Sequence, residues 1–151
     1  MIKRPRVYID TSVIGGCFDH EFREDSSALF QNAQDGAIQL VVSDLLAAEI
    51  ENAPETVKDF YASLPEGLLE VVSAGTEADA LQQAYLAEGV VGPAREDDAM
   101  HVAIATASRC DIIVSWNFRH IVHYDKIRMY NAVNLREGYA IIAIHSPTEV
   151  V

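Results

Sequence analysis

The sequence predicts an α/β fold of three layers, a mostly parallel sheet of about five strands between two layers of helix. Two observations carry this. Short apolar, β-branched runs alternate with longer stretches of helical periodicity along the 151 residues, which is the pattern of βαβ units. The runs are apolar throughout rather than alternating, as in strands covered on both faces. The length and the absence of any linker or low-complexity stretch fit one domain, 1–151.

In order, Val7-Tyr8-Ile9 reads as a buried strand ending at Asp10. Gly15-Gly16 has no following Lys, so it reads as a turn and not a phosphate-binding loop. Leu29, Phe30 and Ala33 share a helical face over 25–35, and Gly36 stops that helix. A second strand spans 38–42. Ser43 or Asp44 then caps a helix carrying Leu45, Leu46, Ala48 and Ile50. Pro54 opens another helix, with Val57, Phe60, Tyr61 and Leu64, and Pro65 follows its end. Residues 68–72 read as a third strand. Thr76 with Asp79 has the spacing of a capping box, starting a helix to about Glu88, and 89–93 reads as a loop. The spacing of Met100, Ala103, Ile104 and Ala107 predicts a helix over 97–109. Ile112-Ile113-Val114 is a fourth strand, 125–137 a further helix and 139–144 a fifth strand.

Composition narrows the chemistry. There are 23 Asp and Glu against 11 Lys and Arg, a net charge of -12. Affinity for phosphate then requires a local basic patch or a bound cation, not overall charge. Between Glu24 and Ala94 the single basic residue is Lys58, whereas Arg119, His120, His123, Lys126, Arg128 and Arg136 crowd the last third. Cys17 and Cys110 fit no metal spacing and no disulfide framework, so they read as reduced thiols. No apolar run approaches the ~20 residues of a membrane helix, and the apolar stretch after the basic start is broken by Asp10. The expectation is a cytoplasmic protein that engages no membrane.

In a parallel sheet the reactive groups collect at the carboxyl ends of the strands. Asp10 ends the first strand, Asp44 and Glu49 follow the second, and Asn117 follows the fourth. Asp97 and Asp98 open the helix leading into that fourth strand. A crossover helix runs antiparallel to the strands, so its N-terminus lies at the same carboxyl edge. Taken singly, these acids have ordinary readings: a turn at Asp10, a helix start at Asp97 and Asp98, a solvated Glu49. Together at one edge they repel unless a cation or a proton joins them. Hard oxygen ligands select Mg²⁺ or Mn²⁺, whose remaining waters leave room for phosphate oxygens. His101 falls one turn after Asp98, although a His among apolar neighbours is more often packing than chemistry. Trp116 is read equally as core or as a stacking surface.

These segments, in order, resemble the PIN domain, a family of metal-dependent nucleases. The segment 7–12, Val-Tyr-Ile-Asp-Thr-Ser, is similar to the family's opening strand and first Asp. Ser43 with Glu49 resembles the second motif, Asp98-Ala99-Met100-His101 the third, and Ile112 to Phe118 the fourth. The close, Ile144 to Val150, is similar to the C-termini of some members. The resemblance implies a three-layer α/β/α fold and a metal-dependent endoribonuclease. It further implies a VapC-like toxin of a toxin–antitoxin pair, acting as a homodimer and restrained by a protein with a basic segment. By position, Asp10, Glu49 and Asp98 would be the catalytic metal ligands for Mg²⁺ or Mn²⁺, with Asn117 at a fourth place that is often Asp. Thr11, Ser12 and Asp97 would support the site, and Arg119, Lys126 or Arg128 would hold the RNA backbone. The alternative is a non-catalytic PIN fold that binds RNA or protein, favoured by Asn117 where an acid is usual.

Overall fold

The computed structural model describes residues 3–151. Its frame is a five-stranded sheet, every pairing parallel, in the order β3-β2-β1-β4-β5. The strands are β1 (Arg6–Ile9), β2 (Gln39–Ser43), β3 (Leu69–Val72), β4 (Ile112–Val114) and β5 (Ala143–His145). The helices are α1 (Thr11–Gly16), α2 (Arg23–Gln34), α3 (Asp44–Ile50), α4 (Glu55–Ser63), α5 (Thr76–Ala87), α6 (Glu96–Ala107), α7 (Tyr124–Arg136) and α8 (Pro147–Val150). The predicted fold class and strand number are those observed.

Alternate residues of each strand feed two cores. Tyr8 pairs in register with Val41 and Ile113, and Ile113 with Ile144. These four form one face, packed against Leu81 and Tyr85 of α5, Val102 of α6 and Tyr130 of α7. Val7, Ile9, Leu40, Val42 and Val114 form the other, under Val13 and Ile14 of α1, Leu29 of α2, Leu46 of α3 and Val57 of α4. Each fully buried aliphatic side chain contributes about 1.5–3 kcal/mol relative to exposure. This is why the central strands carry apolar residues on both sides.

Several local expectations are corrected. Gly15 and Gly16 are the last residues of helix α1, not a turn. The chain must pass close under Trp116, and only a residue without a Cβ fits at Gly16: a Cβ there would lie 2.5 Å from Trp116 Nε1 and from Ser26 Oγ. Thr76 is the first residue of α5 rather than its cap. Gly75 takes the cap position and, having no side chain, offers no cap bond; its carbonyl accepts the Asp79 N–H at 3.0 Å as the first bond of the helix. Helix α6 ends at Ala107, and Arg109 lies beyond it at φ 59°. The predicted loop 89–93 runs into a short 3₁₀ turn, Pro93–Arg95. The fifth strand is confined to Ala143–His145, and α8, not predicted, follows it. Helix α8 is held to α2 by Thr148, whose hydroxyl donates to Asp25 at 2.7 Å. Cys17 is half-buried and Cys110 buried, both as free thiols. Among the described residues no helix is long and apolar enough to cross a membrane.

Candidate active site

The carboxyl edge of β1, β2 and β4 gathers the polar groups. Asp10 follows β1 and is 4% exposed. It stands at the N-cap position of α1, yet its carboxylate does not cap that helix. Two hydroxyls hold it instead. Ser12 Oγ donates to Oδ1 at 2.5 Å and Ser115 Oγ to Oδ2 at 2.6 Å. Each hydroxyl is itself fixed by a backbone N–H of the turn after β4: Trp116 N–H donates to Ser12 Oγ at 2.9 Å, and Asn117 N–H to Ser115 Oγ at 2.9 Å. The turn after β4 is thus tied through two serines to the acid at the end of β1. Burial raises the Asp10 carboxyl above its ordinary range, and His101 with the two serines opposes that rise.

Glu49 reaches the same edge from α3, a helix started by Ser43, whose hydroxyl accepts the Leu46 N–H at 3.2 Å. Glu49 Oε1 accepts from Thr11 Oγ1 at 2.7 Å and from His101 Nε2 at 2.6 Å. The other ring nitrogen of His101 lies 2.7 Å from the Tyr8 hydroxyl, which lies 2.7 Å from Ser43 Oγ. With the imidazole neutral, the protons run one way. Leu46 N–H bonds Ser43, Ser43 bonds Tyr8, Tyr8 bonds Nδ1, and Nε2–H bonds Glu49, so every donor has an acceptor. Burial alone would raise Glu49, but the bond and charge of His101, together with Thr11, hold its carboxyl below the usual range. Burial alone would lower His101. The Glu49 bond and the charges of Asp10, Glu49 and Asp98 raise it instead. His101 therefore feels all three carboxylates.

Asp98 opens α6 and is half-buried. Burial raises its carboxyl, His120 opposes this, and Asp10 raises it further. Asn117 Oδ1 accepts the N–H groups of Arg119 and His120 at 3.2 and 2.8 Å. Asn117 therefore shapes the turn that carries Ser115 to Asp10. Asp97, the neighbouring acid, is exposed.

The predicted residues thus meet at one edge from β1, α3, α6 and the turn after β4. As they stand, their oxygens are engaged by hydroxyls and by His101, and among the described residues no three His, Cys, Asp or Glu side chains are grouped closely enough to form a metal site. The donor chemistry nonetheless suits a hard divalent ion. Asp10 and Asp98 are both pushed toward protonation, in part by each other or by Glu49, and a cation relieves that cost.

Of the predicted basic residues, Arg119 follows Asn117 in the turn after β4, and burial together with Arg95, Arg119 and Lys126 lowers the neighbouring His120. Lys126 Nζ donates to Val90 O at 2.6 Å. Arg128 stands over the Tyr124 ring at 5.4 Å on α7. Sequence reasoning missed Ser115, Tyr8 and Arg95. Ser115 had one signal, its place two residues before Asn117 at a strand end. A cavity of about 700 Å³ lies instead at the amino ends of β4 and β5, beside Asp111 and Tyr139, away from the acids.

The PIN domain family model matches residues 6–119, which takes in β1 through the turn after β4 and every acid described above. The chain belongs to the PIN domain family. Solved structures of similar fold extend the PIN likeness beyond the matched segment. VapBC2 from Rickettsia felis, bound to a promoter DNA fragment, superposes with TM-score 0.58 at 11% identity, over 93% of this chain and 98% of that one. FitAcB from Neisseria gonorrhoeae gives 0.59 at 14% identity, over 94% and 98%. A toxin–antitoxin complex from Klebsiella pneumoniae gives 0.57 at 14% identity, over 76% and 88%. At these identities the likeness speaks for the PIN fold alone. No curated protein matches the chain in sequence.

Proposed function

We propose that this PIN domain is a metal-dependent endoribonuclease, hydrolysing RNA phosphodiester bonds as the toxin of a toxin–antitoxin pair. The observation that carries this reading is the arrangement at one sheet edge: Asp10 held by Ser12 and Ser115, Glu49 bonded to Thr11 and His101, and Asp98 in the first turn of the helix that carries His101. Asp10, Glu49 and Asp98 would hold Mg²⁺ or Mn²⁺, with Asn117 in support. Such an ion activates water and neutralises charge on the phosphate in phosphodiester hydrolysis. Ser12 and Ser115 aim Asp10, and Thr11 and His101 aim Glu49, so the first two ligands are oriented before any ion arrives. Exposed Arg119, two residues after Asn117 in the same turn, would take the backbone phosphates of RNA in a chain of otherwise acidic charge.

The partner reading rests on the structural neighbours, two of them described as toxin–antitoxin or VapBC assemblies. An antitoxin with a basic segment suits an acidic edge, and co-purification from the native host checks for it. A homodimer is implied by the family resemblance and is checked by light scattering. The test of the chemistry is Asp10→Asn and Asp98→Asn. Both variants should keep the wild-type circular dichroism and lose RNA cleavage in Mn²⁺, and folded variants that cleave at the wild-type rate would sink the assignment. A non-catalytic RNA- or protein-binding role is the second reading. It is favoured by Asn117, which gives its oxygen to two backbone N–H groups and brings no charge.

A further inference from the structure

Three polar side chains, Tyr8, Ser43 and His101, are buried where α6 packs on the sheet. Burying each of them is costly unless it is bonded. The Tyr8 hydroxyl lies 2.7 Å from both Ser43 Oγ and His101 Nδ1, and His101 Nε2 lies 2.6 Å from Glu49 Oε1. Ser43 is the N-cap of α3, and Glu49 stands in the last turn of that same helix. The bonds therefore close on themselves. They run from the start of α3 through β1 and α6 and return to the side chain that α3 presents to the acidic edge. An apolar set of similar volume would fill this part of the core with no bonds to satisfy. The carboxylate that the circuit reaches is Glu49. Thr11 adds a bond to the same oxygen at 2.7 Å. Both bonds fall on Oε1, and Oε2 has no partner among the described residues.

We propose that Tyr8 and Ser43 are positioning residues of the metal site, acting on Glu49 through His101. The inference rests on the metal-dependent reading and deepens it by assigning how one ligand is held. A half-exposed glutamate on a two-turn helix has rotamer freedom that an ion must remove on binding. Here that freedom is removed in advance. With Nδ1 held by Tyr8 the imidazole cannot turn, and Nε2 stays on Glu49 Oε1. Oε2 is then the oxygen left for an ion. Groups that orient a metal ligand from one bond away change metal affinity tenfold or more when they are lost. Tyr8 and Ser43 act on the binding of the ion, so their loss is felt most where the ion is scarce.

The probe is Mn²⁺ alone, titrated by calorimetry and read in parallel as a rise in Tm. Tyr8→Phe and Ser43→Ala should each weaken Mn²⁺ binding about tenfold. Tyr85→Phe is the control for a purely structural role. Its hydroxyl is buried in the same core but bonds Asn134, not the circuit. It should lose comparable stability and bind Mn²⁺ as the wild type does. His101→Gln keeps a donor for Glu49 and drops the link to Tyr8. In that background Tyr8→Phe should cost no further Mn²⁺ affinity. In RNA cleavage, Tyr8→Phe should need about tenfold more Mn²⁺ to reach half its maximal rate. Wild-type Mn²⁺ affinity in both Tyr8→Phe and Ser43→Ala overturns the proposal. An equal loss of affinity in Tyr85→Phe, or an undiminished Tyr8→Phe effect beside His101→Gln, overturns it as well. If Tyr8→Phe does not fold, Ser43→Ala and its control decide the matter. A wild-type protein that binds no Mn²⁺ overturns the metal reading beneath, a result distinct from binding that is indifferent to Tyr8.

Discussion

Asn117 holds the turn after β4 beside the acids. Its oxygen accepts the N–H groups of Arg119 and His120, and its own N–H donates to Ser115, which holds Asp10. In Asn117→Asp one carboxylate oxygen keeps the turn, and a negative charge is added to an already acidic edge. The metal-free protein should lose stability, because the added charge joins the carboxylate repulsion there. Mn²⁺ should bind more tightly, because the added charge favours the ion. Titration calorimetry and melts in EDTA read both quantities, and no change in either would reduce Asn117 to a turn residue. Tyr8 poses a second case. In Tyr8→Phe, His101 Nδ1 and Ser43 Oγ each lose their bond to the Tyr8 hydroxyl, and all three side chains are buried. Urea unfolding should register a loss of about 1–3 kcal/mol. A loss under ~0.5 kcal/mol, the scale of an ordinary surface change, would mean that the relay is not coupled. The sequence displays Asp10 and Asp98, since each sits at a predictable strand or helix end, while Glu49, within a short helix, stands out only through the family resemblance. It does not display Ser115 or Tyr8, because a hydroxyl's value depends on which buried atom it meets. His101 reads in sequence as packing. It is buried, but its ring is committed at both nitrogens to the acidic edge.

At the scale of elements, α1 is the instructive one. Thr, Ser and two glycines make a poor helix on propensity, so nothing in the sequence announces it. Burial of Val13 and Ile14 against the sheet holds it in place. Its two glycines should respond oppositely to alanine. Gly16→Ala drives a Cβ into the Trp116 indole and the Ser26 hydroxyl. Neither can move freely: Trp116 Nε1 donates to Ser26 at 2.8 Å, and Ser26 donates to Val13 O at 2.8 Å. The expected cost is about 1–3 kcal/mol. Gly15→Ala meets open space and should be neutral or stabilise by up to ~1 kcal/mol, through helix propensity. Thermal melts of the pair check this, and similar values for both would show that the indole is not a tight wall. The longer helices and the five strands were legible because their apolar spacing persists over several turns or fills a whole run. Helix α8 has a single turn, too short for a period, and it is held by buried Pro147, by Val150 against the core and by Thr148 against Asp25.

For the whole molecule, the decisive quantity is charge placement. With a net of -12, and with burial raising the Asp10 and Asp98 carboxyls, a divalent ion at this edge should stabilise the protein. Mn²⁺ at about 100 times its dissociation constant should add roughly 2.7 kcal/mol of stability. Calorimetric melts in Mn²⁺ and in EDTA measure it, and coincident melts at millimolar Mn²⁺ would speak against an ion at this edge. A basic peptide from a partner should reduce the same Mn²⁺ gain if it occupies the acids. The parallel sheet also sets a timetable. Strand β1 lies at the centre, and its two neighbours are β2 and β4. Val7 pairs with Ile112, and Asp10 takes its second hydroxyl from Ser115, 105 residues away. Such pairings close late, because a long loop must be ordered before they form. During synthesis the acid that is made first waits for the serine that completes it, and a half-made chain holds its carboxylates without their common edge. The site comes into being only as the last third of the chain arrives.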